Sequence, residues 1–359
     1  MAYPYLTIDL DKIEHNARTV VSLCQQEGIE VSGVTKGVCG LPDVARAMLR
    51  GGVSAIADSR LENIHRLKAA GIDVYYILLR VPPLSAAEEV VASVDMSLNS
   101  ELVVLEALSE AAIAQGKRHD VMLMVDLGDL REGIWPSDVV AFVQQALTLH
   151  GIHIKGLGTN LACFSGVAPS TDNMNRLIEL AHDIDRQFEH KIEWLSGMNS
   201  SGFEMIGLHT MPRHINHARI GEAILLGRET IDRNPLPDTY QDAFVLHGEV
   251  LELKTKPSAP TGELGEDAYG HHPEFTDRGD IQRALVNIGR EDVDVDGIVP
   301  LDPGIAILGA SSGYLVVDVS AAEKKVGVGD ELAFSLNYGA LVAAMTSEYI
   351  RKHPKKMSV

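Results

Sequence analysis

Lys36 closes a short apolar run, Ile29-Glu-Val-Ser-Gly-Val-Thr-Lys36, and opens a turn marked by Gly37 and Gly40. Lysine is seldom fully buried without a partner. Desolvation lowers its proton affinity, and the free amine is then a nucleophile toward carbonyls, as in Schiff-base enzymes. A surface lysine after a strand is the plain alternative, and the spacing alone leaves both open. Other polar groups also follow apolar runs: Asp58-Ser-Arg60, Asn99-Ser100, Asp126-Leu-Gly-Asp-Leu-Arg-Glu-Gly133, Thr159-Asn160, Gly197-Met-Asn-Ser-Ser-Gly202 and Arg219-Ile-Gly-Glu222. The turn 197–202 is rich in glycine and serine and leads into a helix, so its backbone N–H groups suit an anion. Gly221 and Gly227 offer a second such set.

Those residues converge only if the runs are strands of one barrel. Apolar runs near 31–35, 54–57, 74–79, 94–98, 121–126, 152–158, 192–196 and 217–220 read as strands. Helical patterns lie between them, at 41–50, 60–70, 85–92, 101–115, 137–149, 171–188 and 201–208. Pro42-Asp43 and Ser170-Thr-Asp-Asn173 mark helix starts; Gly28, Gly51, Gly71, Gly116 and Gly151 mark ends. Asp11 and Glu14 have the spacing of a capping box. Eight such units spell an α/β fold, a (β/α)8 TIM-type barrel, whose strand C-termini share one face. An open doubly wound sheet would need a Gly-rich phosphate turn that Gly37-Val-Cys-Gly40 does not supply. After about residue 235 the pattern turns to β runs without long helices. The expected division is a barrel over 8–235 and a mostly β C-terminal domain over 236–359, joined by residues 1–7. The polar loop 257–280, with His271 and His272, is long enough to be functional. Lys352-His-Pro-Lys-Lys-Met357 reads as a frayed tail.

The 31 basic and 50 acidic residues leave a net charge of −19, which argues against nucleic acid and anionic membranes as partners. Three scattered cysteines form neither a disulfide framework nor a zinc site, so no metal is expected. No apolar stretch reaches the length of a membrane span, and a cytoplasmic location is expected.

Taken together, the motifs resemble the alanine racemase superfamily, the fold-type III pyridoxal-phosphate enzymes. Tyr5-Leu-Thr-Ile-Asp-Leu-Asp-Lys-Ile-Glu-His-Asn16 resembles the family's opening segment. Lys36 matches the cofactor lysine, and Asp126 to Arg131 resembles the segment whose arginine meets the substrate carboxylate. Asn199-Ser200 matches the pair whose serine holds phosphate. Arg219-Ile-Gly221 matches the segment whose arginine faces the pyridine nitrogen, and Tyr349 resembles a tyrosine that reaches the phosphate. Several stretches, Val34 to Gly40, Val125 to Gly133 and Gly221 to Glu229 among them, look most like the ornithine racemase branch. Three departures from alanine racemase matter. Gly40 stands where that enzyme has a tyrosine, and Asn160 stands where it has a histidine. Ile288-Gly-Arg-Glu-Asp-Val-Asp294 lacks its catalytic tyrosine.

The resemblance implies an amino-acid racemase that removes the Cα proton of a substrate bound through pyridoxal 5'-phosphate. It places Lys36, Asn160, Asn199, Ser200, Arg219, Gly221, Glu222 and Tyr349 at the cofactor and Arg131 at the substrate carboxylate. An arginine at the ring nitrogen keeps that nitrogen unprotonated, which suits racemisation better than transamination. Cys163 is the first candidate for a second proton carrier, because a thiol titrates near the working range. A group from the C-terminal domain of a second copy of the chain, such as Arg290, Asp292 or Tyr314, is the other candidate. Asp292 and Asp294, with Asp129 as a second choice, are candidates for a distal ammonium, which points to ornithine or lysine. A homodimer with a shared active site is expected from the family. Alanine or broad specificity, or a non-catalytic pyridoxal-phosphate carrier, are the alternatives.

Overall fold

The computed structural model describes residues 4–270, 272 and 274–355. The chain forms two compact units. One is Leu10–Gln241; the other combines the residues up to Asp9 with Asp242 onward. Its first strand, β1 (Tyr5–Asp9), therefore belongs to the second unit.

In the first unit eight parallel strands close a barrel in chain order, β9 returning to β2. They are β2 (Glu30–Val34), β3 (Ala55–Asp58), β4 (Tyr75–Leu78), β5 (Met96–Asn99), β6 (His119–Met124), β7 (Ile152–Gly158), β8 (Trp194–Met198) and β9 (His217–Ile220). The expected TIM-type barrel is present. Its strands are short and buried on both faces, as outer helices require. Glu14 is engaged by two arginines. It lies inside the helix Leu10–Gln26 and accepts from Arg18 (2.7 Å) and Arg50 (2.6 Å). The segment after β9 stays with the barrel because the buried Asn16 amide holds it: Nδ2 donates to Ile224 O and Tyr240 O, and Oδ1 accepts from Tyr240 N.

Val34, Ala55, Ala57, Ile77, Met96, Leu98, Met122 and Met124 pack together as one buried cluster. Small residues and flexible methionines suit the narrow interior of an eight-stranded barrel. Toward the strands' N-terminal ends a polar plug follows. Lys155 lies over the rings of Tyr75 (4.6 Å) and Trp194 (4.9 Å) and pairs with Asp120 at 3.0 Å. The Tyr75 hydroxyl donates to the same carboxylate at 2.6 Å. Polarity here serves the fold, since a barrel's chemistry sits at the opposite end.

His119 opens β6, is 2 % exposed, and has one ring nitrogen 2.9 Å from Ser97 Oγ. Burial pushes its pKa down to about 4. The unfolded histidine, near 6.5, takes up protons that the folded one refuses between those values. Its contribution is therefore present above pH 6.5 and is lost as the pH falls toward 4. The expected loss from this residue is about 3 kcal/mol at pH 4. Urea unfolding of His119→Gln should show a correspondingly shallower fall over that window than the parent chain.

The second unit is an eight-stranded, largely antiparallel sheet. Its strands are β1, β10 (Phe244–Pro257), β11 (Asp280–Val286), β12 (Ile298–Pro300), β13 (Ala306–Ala310), β14 (Leu315–Asp318), β15 (Glu331–Leu336) and β16 (Arg351–Lys355). The main path runs β12-β15-β10-β11-β14-β13, and β1 pairs with both β10 and β16. Residues 351–355 are thus a strand, parallel to β1, and not a frayed end. Arg-Lys-His-Pro-Lys has no apolar alternation to reveal it; a Pro-bearing edge strand is held by its backbone. Lys356 and Met357 lie outside the described residues. So does His271; His272 of the same long loop approaches Glu266 at 3.6 Å.

Candidate active site

The C-terminal ends of the barrel strands carry the residues that the sequence singled out. Lys36 begins a single 3-10 turn, Lys36–Val38, directly after β2. It is open to solvent at the mouth, yet ringed closely enough by protein that desolvation lowers its pKa. The charges of Cys163 and Asp58 oppose that fall, and Arg131 adds to it. A lysine so placed yields its proton more readily than a surface lysine.

The turn that presents Lys36 is fastened from the side. Thr35 is fully buried, and its hydroxyl donates to Asp58 Oδ2 at 2.7 Å. Asp58 closes β3 and also accepts from Arg60 N (3.0 Å) and Asn63 Nδ2 (2.9 Å). Gly40 completes the turn with φ +58°, and a Cβ there would lie 2.7 Å from Asn63 Cβ. A tyrosine at that position has no room, which is the physical side of its absence.

Arg219, in β9, is 5 % exposed. Its guanidinium donates to Ser196 O (3.1 Å), to Ser196 Oγ and to Thr159 O (2.7 Å). Burial pulls its pKa down to about 10, so it stays charged at neutral pH. Guanidinium only donates, so the Ser196 hydroxyl donates its own O–H to His217 Nδ1, 2.6 Å away. His217 then carries its proton on Nε2 and donates to Ser32 Oγ at 2.8 Å. Complete burial keeps this ring neutral by lowering its pKa well below 6.5. Ser32, Ser196 and His217 escaped the sequence reading as site residues. The available signal was three polar residues inside otherwise apolar barrel strands.

The turns after β8 and β9 meet: Ser200 Oγ accepts from Ala223 N at 3.1 Å. That leaves the Ser200 hydroxyl proton free to be donated. Asn199 is spent internally, its amide donating to Leu161 O (2.9 Å) and its oxygen accepting from Ser201 N (2.7 Å). Gly221 packs on Val34, where a Cβ would come within 3.1 Å of Val34 Cβ. The Glu222 carboxylate turns to Arg233.

Arg131 sits beside Lys36, Cys163 and Glu132, and Glu132 takes both arms of its guanidinium fork. Asn160 lies between Arg131 and Asn199. Its oxygen can accept from Asn199 Nδ2 (3.1 Å) or, with the amide turned, from Arg131 Nη1 (3.2 Å), but not both. Cys163 Sγ is within reach of the Asn160 oxygen (3.4 Å) and Asn199 Nδ2 (3.6 Å).

Two expectations are corrected. Asp129 does not await an ammonium: it is 1 % exposed and accepts from the backbone N–H groups of Cys163, Phe164 and Ser165. It builds the loop that carries Cys163. Asp292, in the second unit, is likewise buried and accepts from Gly289 N at 2.8 Å. Asp294 is exposed and lines a pocket of about 590 Å³ with Tyr269, Arg290 and Glu291. There the Arg290 guanidinium lies 5.3 Å from the Tyr269 ring, a partner hidden in the polar loop. Tyr349 and Tyr314 also belong to the second unit and are exposed.

The family model for the alanine racemase N-terminal domain matches residues 8–229. The chain is 40% identical to the ornithine racemase of Acetoanaerobium sticklandii, over 98% of this chain and 99% of that one. The chain belongs to the alanine racemase family. The lysine racemase of Thermotoga maritima is 36% identical, with 98% of each chain covered. Among solved members of the fold, alanine racemase from Bartonella henselae with covalently bound pyridoxal phosphate superposes with a TM-score of 0.75. It shares 19% identity and covers 99% of this chain and 100% of that one.

Proposed function

We propose that this chain is a pyridoxal-phosphate-dependent racemase of an amino acid bearing a second ammonium, ornithine or lysine. The observation that carries the reading is a desolvated lysine at the mouth of a family barrel, beside an arginine and a thiol. Full-length similarity to racemases named for ornithine and lysine supports the substrate class.

The donor set fits the cofactor. Arg219 is a buried cation held by neutral acceptors, and Thr159 Oγ1 beside it is buried without a partner. Both suit a polar aromatic ring nearby. Ser200, with the turns at Gly202 and Gly221, would hold a phosphate, and Lys36 Nζ would anchor the aldehyde carbon. When bound there, the cofactor lends an electron sink that makes the Cα proton of an amino acid acidic. The chain's residues do the rest. Arg131 orients the α-carboxylate through its fork. Lys36 takes or returns the Cα proton, aided by its lowered pKa. Cys163 is the second proton carrier, supplied on a loop that Asp129 fastens.

The reading includes a homodimer with a shared active site and a cytoplasmic location. Cys24 and Cys163, both unbridged thiols, are compatible with the latter. Among the described residues no helix is long and apolar enough to cross a membrane.

Chiral chromatography after incubation with L-ornithine, L-lysine, L-alanine or L-serine tests the proposal. D-ornithine or D-lysine is the expected product. Predominant D-alanine would overturn the substrate class. A protein that binds the cofactor but inverts none of the four would overturn the racemase reading in favour of a carrier.

A further inference from the structure

A substrate with a second ammonium needs a carboxylate within reach of the barrel mouth. Most of those present, among the described residues, are already committed. Asp58 is fully buried and accepts from Thr35, Arg60 and Asn63. Asp126 accepts from Gly128 N (2.9 Å) and Leu130 N (3.1 Å). Asp129 is taken by three backbone amides, and Glu222 by Arg233. Glu132 differs. It is partly exposed, and its oxygens rest on the guanidinium of Arg131, the group that must receive the substrate carboxylate. Its charge is felt at Lys36, Arg131 and Arg219 alike.

Resting on the racemase reading, we propose that Glu132 is the specificity-determining carboxylate of the barrel, exchanging partners when substrate arrives. The incoming α-carboxylate displaces Glu132 from the Arg131 fork, and Glu132 takes up the distal ammonium. Two ion pairs replace one, and no charge is left stranded. An amino acid with an apolar side chain offers no replacement. Its carboxylate would sit against an unpaired Glu132, a like-charge contact that disfavours it. Selectivity then comes from rejecting the wrong substrate as well as from holding the right one.

The test uses ligands that have no centre to racemise. 5-Aminopentanoate keeps the carboxylate and distal ammonium of ornithine but lacks the α-amino group, and pentanoate lacks both amines. Calorimetric titration of the cofactor-loaded protein reads their affinities whether or not the protein racemises anything. The parent chain should prefer 5-aminopentanoate by about tenfold or more, as close charge pairs allow. Glu132→Gln should bring the ratio near one and tighten pentanoate, because a neutral amide competes less for Arg131. Asp294→Asn, in the second unit, should leave the preference intact. The proposal falls if Glu132→Gln keeps the preference, if Asp294→Asn removes it, or if the parent chain shows none. A parent chain that fails to racemise ornithine yet shows the Glu132-dependent preference would sink the catalytic reading and leave this one standing.

Discussion

Lys36→Ala is expected to lower racemisation at least about a thousandfold, because under the proposed mechanism one substitution removes both the cofactor's anchor and a proton carrier. The site around it should survive. Thr35 and Asp58 fasten the turn through Thr35's own hydroxyl, and Arg219 is held by the Ser196–His217 chain; neither depends on the lysine side chain. Cofactor added to the variant should therefore still bind, reversibly, without the absorbance of the covalent adduct. A small primary amine in solution should restore a fraction of the rate by supplying the missing base. Activity above about one percent in the absence of added amine would remove Lys36 from the mechanism.

Cys163→Ala should lower racemisation by about two to four orders of magnitude, the usual worth of a positioned proton carrier. Its signature is more informative than its size. In deuterium oxide the variant should still exchange the Cα proton of one enantiomer with retention of configuration, through Lys36. The other enantiomer should neither exchange nor invert. A one-base mechanism would instead leave both enantiomers exchanging at rates close to the parent's, and that result would return Cys163 to the role of a loop residue. Cys163→Ser separates the two possibilities further, since a hydroxyl occupies similar space but is a far weaker acid.

The barrel was legible because its signals are periodic: each strand is an apolar run and each helix carries the 3.6-residue pattern. The strand ends then followed, and with them Lys36, Arg131, Ser200 and Arg219. Three features were not legible. Asp129 and Asp292 look like free carboxylates in sequence, but backbone amides use them up, and no residue pattern records which amides a loop turns inward. The chain from Arg219 through Ser196 and His217 to Ser32 joins three strands and depends on barrel closure. Strand β16 is a run of charged residues whose pairing is carried by backbone alone. Glu132 was visible in its motif but unremarked, because its importance comes from the saturation of its neighbours.

The pairing of β1 has a consequence for synthesis. Leu6 and Ile8 are wholly buried in the finished protein, and β1 leaves the ribosome long before β10 does. Their partners in register are Leu246 and Phe244 on one side and Lys352 and Pro354 on the other. At typical elongation rates, roughly ten seconds or more separate the two sides of the β10 pairing. Throughout that interval the barrel segment can close, while an apolar strand waits with both edges open. Such an unpaired apolar edge is a template on which another chain can pair. The yield of folded protein should thus be limited by the fate of the five residues of β1, and not by the barrel.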